Sequence, residues 1–175
     1  VFCRSREGLS SPDLQLLFTP ASYQQGVIGK LEKEGGMTVA VCAVRPQSRG
    51  TIMAASADPL ERPKIRPNYL SNPDDMRVIL AGMEHTRHIF AQPAFEPYNV
   101  AETLPGPGVT DQADLETFVR EQGSIIYHPV GTCKMGDDPM AVVNPRLAVR
   151  GVEGLRVVDA SVMPTVTTGN TNAPT

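Results

Sequence analysis

The stretch IIYHPVGTCKMG, running from Ile125 to Gly136, decides how this chain is read. Its first residues form an apolar, β-prone run, and Pro129 and Gly131 then end any strand. His128, one of only three histidines, stands at the junction. A lone histidine at a strand end is most often a hydrogen-bonded structural residue. This setting favours chemistry instead, because a rigid element followed by a turn holds a side chain firmly while aiming it into a cleft. An imidazole so placed can act as a general base near neutral pH.

Toward the C-terminus, GLRVVDAS (residues 154–161) reads as a short buried strand ending in an acid and small residues. Such an end lets the backbone approach a flat ligand. GNTNAPT (residues 169–175) then leads into a helix start with Pro174 as an early helical residue. A helix start offers unpaired N–H groups and a positive dipole end, which suit an anionic ligand atom.

Toward the N-terminus, Asp13 to Phe18 alternates as a half-buried strand, and Met37 to Val44 reads as a central one. Thr51 to Ala55 is expected to run beside it, with the proline-flanked Pro63 to Tyr69 at an edge. Residues 20–35 and 93–108 read as loops. Asn72-Pro73-Asp74-Asp75 combines a cap, a first-turn proline and acids at the positive dipole end. Apolar residues at helical spacing follow to about Phe90, and Thr110 to Ala113 opens a second helix ending near Gln122. The pattern is α+β: an antiparallel sheet with helices on one face.

At 175 residues, 41% hydrophobic and 20% charged, the chain has the composition of a soluble globular protein with a real core. A net charge of −3 supplies no basic field, which argues against nucleic acid as a partner. No apolar run is long enough to span a bilayer, and the N-terminus lacks a signal-peptide pattern. Cys3, Cys42 and Cys133 lie far apart with no CxxC pair, as expected of reduced thiols. The expected location is cytoplasmic, with peripheral attachment to a membrane left open.

The remaining candidates are weaker. His85 and His88 lie three apart on the first helix, but the order is not HExxH and no further ligand completes a zinc set. A solvated helix face is the expectation, and no metal. Lys134 beside Cys133 can activate a thiol, yet no triad follows and packing is the simpler role. Gly106 and Gly108 lack the strand–GxGxxG–helix context of a phosphate cradle.

Taken together, YHPVGTCKMG, VVNPRLAVRGVEGLRVVDASVMPT and GNTNAPT resemble the C-terminal signature of the glucose–methanol–choline (GMC) flavin oxidoreductases, nearest to choline-dehydrogenase-like alcohol dehydrogenases. VCAVRPQSRGTIMAASADP and PKIRPNYLSNPDD resemble the substrate domain of the same family. The resemblance implies FAD as cofactor and the oxidation of a primary alcohol to an aldehyde, with an electron acceptor (quinone, dye or oxygen) left open. It implies that His128 faces the flavin ring and that Asn172 is its active-site companion, chosen over Asn170 on family spacing. By the same resemblance Asp159 and Ala160 touch the FAD, and Ala173 and Thr175 stand near its pyrimidine edge. Residues 1–120 would form the substrate domain, and residues 121–175 would return to complete the FAD domain. The family's N-terminal GxGxxG unit is absent from these residues, so the expectation is the C-terminal part of a GMC enzyme. Two alternatives are a module that holds no flavin by itself and a lyase that keeps FAD without redox turnover.

Overall fold

Phe2–Cys3 (β1), Leu14–Thr19 (β2) and Thr38–Ala43 (β3) form an antiparallel sheet in the order β1-β2-β3. The computed structural model describes residues 1–24, 29–98 and 101–175. Parts of both expected loops, residues 25–28 and 99–100, lie outside the described residues. The middle strand, β2, is the most buried: Leu14 is 0% exposed and Leu16 5%. Register pairs Leu14 with Ala43, Leu16 with Val41 and Phe18 with Val39, so the apolar positions of β2 and β3 share a face. Asp13 closes the β1–β2 connection, accepting from the Ser5 backbone at 2.7 Å and its hydroxyl at 2.6 Å.

Pro73–Phe90 (α1) packs on that sheet against β2 and β3. Acids at Asp74 and Asp75 and bases at Arg87 and His88 complement its dipole at either end. Gly82 faces the sheet, where a Cβ would collide with Val41 and Leu14; glycine is what allows this close approach. Gln112–Gln122 (α2) starts at Asp111, whose side chain accepts from the Ala113 N–H at 2.8 Å, and packs against α1. Between the helices, Arg87 clamps the connecting loop. Its Nη2 reaches Glu102 Oε1 at 2.8 Å and the Val109 carbonyl at 2.9 Å, and its Nε reaches Glu102 Oε2 at 3.0 Å.

The chain divides into two compact units. Residues 1–43 and 73–124 make the first, just described, and residues 44–72 and 125–175 make the second. Segment 44–72 thus packs with the C-terminal residues, although the sequence grouped it with residues 1–120. In the second unit Thr51–Met53 (β4) pairs antiparallel with Lys64–Arg66 (β5) in a separate two-stranded sheet. The expectation that Thr51 to Ala55 lies beside the central strand is therefore corrected. Local contacts decide it: Asn68 Nδ2 donates to the Arg49 carbonyl at 3.0 Å, and a Cβ on Gly50 would collide with the Arg66 carbonyl and Pro67. The chain folds back on itself here before it can reach β3.

Two further strands expected from sequence are not strands. Ile125 to His128 has no ladder, and Tyr127 sits at φ 60°, in the left-handed region that no strand contains. Residues 154–161 make one bridge, Arg156 to Ala148, and then a 3-10 turn over Ala160–Val162. Backbone hydrogen bonds among short segments around Val143, Ala141 and Val162 replace them, with Val143 fully buried.

Candidate active site

The second unit brings three distant motifs together. The turn after His128 docks on the segment after Asp159: the Cys133 N–H donates to the Ser161 carbonyl at 3.0 Å, and the Met135 N–H to the Val162 carbonyl at 2.8 Å. Gly131, at φ 89°, makes the turn into this docked stretch in a conformation that favours glycine. Lys134 and Asp138 pair at 2.8 Å across the next bend, and Arg150 Nη2 donates to the Gly136 carbonyl at 2.8 Å. The Lys134 ammonium holds the Asp138 carboxyl below its ordinary range.

His128 itself is tied to the C-terminal loop. Its Nδ1 lies 3.1 Å from Thr171 Oγ1 and accepts from the Thr171 backbone N–H at 3.3 Å. Its Nε2 lies 2.6 Å from Asn170 Nδ2. The structure thus brings Asn170 to the imidazole, whereas family spacing favoured Asn172. The physical reason is a turn. The Thr175 N–H donates to the Thr171 carbonyl at 3.1 Å, so the chain coils immediately after Thr171 and Asn172 lies within the coil. Asn170 is the last residue before it. Thr168, at φ 65°, bends the loop on the other side, and Arg45 Nη2 steadies that bend through Thr168 Oγ1 at 3.2 Å.

Asp159 caps the 3-10 turn, accepting from the Ser161 N–H at 2.7 Å. The Ser161 side chain, and then its N–H, hold the Asp159 carboxyl below its ordinary range. Ala160 is half-buried in that turn, while Asn172 and Ala173 are exposed. Thr175 Oγ1 donates to the Thr171 carbonyl at 2.6 Å, so Thr175 belongs to the coil that carries the loop. Thr171, only 5% exposed, went unnoticed in the sequence because a threonine inside GNTN reads as loop. Its signal lay in its place beside an asparagine, one step before a helix start.

The other histidines stand apart from this site. His85 is half-buried, with Nε2 3.2 Å from the Arg4 carbonyl. His88 is exposed beside Gln92, 3.3 Å away. Among the described residues no group of three His, Cys, Asp or Glu side chains is close enough to hold a metal ion. Cys3, Cys42 and Cys133 are free thiols, and burial pushes the Cys42 thiol up. No helix among the described residues is long and apolar enough to cross a membrane.

His128 and Asn170 thus stand side by side, and the stretch after His128 is tied to the Ala160–Val162 turn. The chain belongs to the GMC oxidoreductases: the C-terminal model of that family matches residues 46–175. It is 44% identical over 174 residues to an alcohol dehydrogenase [acceptor] of Pseudomonas putida, covering 99% of this chain and 31% of that protein. An oxygen-dependent choline dehydrogenase of Brucella ovis is likewise 44% identical over 176 residues, covering 99% of this chain and 32% of that protein. Among solved structures, pyridoxine 4-oxidase from Mesorbium loti superimposes with a TM-score of 0.84 at 26% identity, over 99% of this chain and 34% of that one. A fungal aryl-alcohol oxidase superimposes with a TM-score of 0.75 at 30% identity, over 94% of this chain and 26% of that one. The chain spans about a third of the length of the curated relatives it matches. Its small antiparallel sheets and few helices are those of this family's C-terminal region.

Proposed function

We propose that this chain supplies the alcohol-binding half of an FAD-dependent active site that oxidises a primary alcohol to an aldehyde. The observation that carries the reading is the pairing of His128 with Asn170, whose polar atoms lie 2.6 Å apart. Alcohol oxidation removes a hydride from carbon and a proton from oxygen. His128 and Asn170 act at the oxygen, where negative charge grows as the C–H bond weakens, and donors set in place beforehand stabilise that charge without reorganising. FAD, when bound, supplies the hydride acceptor.

The residues of the second unit fit a flavin. Ala160 and Ala173 are small enough to let the backbone approach a flat ring, and Val158, next to Asp159, leaves an apolar side chain 71% exposed. In this reading Asp159, Ala160, Ala173 and Thr175 line the cofactor, residues 121–175 complete an FAD domain, and residues 1–120 bound the substrate. The alcohol is a small molecule, and the electron acceptor is a quinone, a dye or oxygen.

The test uses a flavin-loaded enzyme that contains this sequence, assayed with a panel of primary alcohols and an artificial dye. Alcohol-dependent bleaching of the flavin, followed by dye reduction, supports the reading. A flavin that stays oxidised with every alcohol refutes it and favours non-redox chemistry.

A further inference from the structure

We propose that Thr171 is a positioning residue for His128, holding the imidazole as its Nε2–H tautomer so that the ring meets the substrate oxygen as a hydrogen-bond donor. The catalytic consequence rests on the active-site reading above; the tautomer follows from the geometry of this chain alone. A neutral imidazole carries one proton, so one ring nitrogen donates and the other accepts. A backbone N–H can only donate. The Thr171 N–H is directed at His128 Nδ1 at 3.3 Å, so Nδ1 is the acceptor and the proton resides on Nε2. The Thr171 hydroxyl, 3.1 Å from the same nitrogen, is free to rotate and adds a second donor. The opposite tautomer would set two N–H groups against each other. It would also strand the Thr171 N–H, and unpaired donors at buried positions are unfavourable.

Asn170 follows the same count. A ring with Nε2–H needs an acceptor opposite it; Asn170 Nδ2 is the amide atom placed 2.6 Å from Nε2, so this tautomer requires the amide in the opposite orientation, with Oδ1 toward the ring. A half-turn of the amide exchanges its two ends. With a substrate oxygen in place, Nε2–H and the Asn170 NH₂ both have protons to offer it. The active-site reading leaves two roles for His128, accepting the hydroxyl proton or hydrogen-bonding the developing alkoxide. The Thr171 contacts select the second, and the hydroxyl proton then passes to solvent water as the hydride leaves. Second partners of a histidine commonly set its tautomer and ring orientation in this way.

The experiment is ¹⁵N NMR of the ¹⁵N-labelled chain, above the pH at which imidazoles carry charge. The expected result is an Nε2-bound proton on His128 and a scalar coupling across the hydrogen bond between the Thr171 nitrogen and His128 Nδ1. Exposed His88 serves as the internal reference and should show no such coupling. Thr171→Val keeps the N–H and loses the hydroxyl, so the His128 Nδ1 resonance should shift while the coupling persists. Thr171→Ser should restore the wild-type resonance. A proton on Nδ1, an absent coupling, or an Nδ1 resonance indifferent to Thr171→Val would overturn the proposal. Failure of the alcohol assay with the coupling intact would instead remove the catalytic reading and leave the tautomer assignment standing.

Discussion

His128 is held at both ring nitrogens, so its replacement and that of its neighbours should have graded effects on an alcohol-oxidising enzyme containing this sequence. His128→Ala removes a donor to a charge that grows in the transition state, and such losses cost about 10²–10³-fold in turnover. Flavin content should be unchanged if the histidine serves the substrate oxygen, as proposed. Asn170→Ala should cost less, and the double variant less than the product of the two, since groups sharing one charge are coupled. Asn172→Ala, on an exposed position within the coil, should stay within about twofold. Steady-state kinetics on the four variants checks the order, and an Asn172 effect exceeding that of Asn170 would restore the choice made on family spacing. Asp159 gives a separate pH test. Its carboxyl is held below the ordinary 3.8 by Ser161, so its contribution to the 3-10 turn is present above that pH. The contribution is lost as pH falls through the lowered value. The Ser161 amide should therefore move and exchange faster in acid, and Asp159→Asn should abolish the acid-dependent step.

At the scale of elements, α1 offers two positions where packing and propensity disagree. Alanine is the better helix former than glycine by about 1 kcal/mol. At Gly82 that gain is overridden, because the new methyl meets Val41, whose β-branched side chain cannot rotate away, and Leu14 in the core. Overpacking costs about 1–3 kcal/mol, so Gly82→Ala should lower the stability measured by urea titration. A stabilised variant would show that the sheet yields. Arg87 binds a carboxylate through two nitrogens and a loop carbonyl as well, at a half-buried position. Hydrogen bonds to charged groups contribute about 1.5–3 kcal/mol, so Arg87→Met should destabilise by about 2 kcal/mol and raise amide exchange around Glu102 and Val109. Lysine should rescue only partly, lacking the planar fork.

At the scale of the whole molecule, the sequence holds no GxGxxG unit for the pyrophosphate of FAD. The 175-residue chain should therefore bind FAD poorly, and equilibrium dialysis should find far less than one flavin per chain; tight stoichiometric binding would contradict this. Much of the molecule was legible in the sequence. Local signals determine α1, α2, β2 and β3: caps, first-turn prolines and apolar periods act within a few residues of where they are written. The family was legible for a similar reason, since His128 and the Asp159–Ser161 stretch are short strings whose order survives without a fold. Tertiary structure decided the rest. An apolar run such as Ile125 to His128 is compatible with a strand, but a strand needs a partner, and the run finds none among the described residues; its neighbours are held by bonds from Cys133 and Met135 to residues 161 and 162. β4 paired with β5 because Gly50 and Asn68 close a local loop sooner than a distant edge can be reached. Asn170 took the place beside His128 because the chain coils at Thr171, and a coil moves a residue two places on to another side of the backbone. Spacing along a chain fixes distance only while the chain stays extended, which is why the neighbours of His128 had to come from the fold.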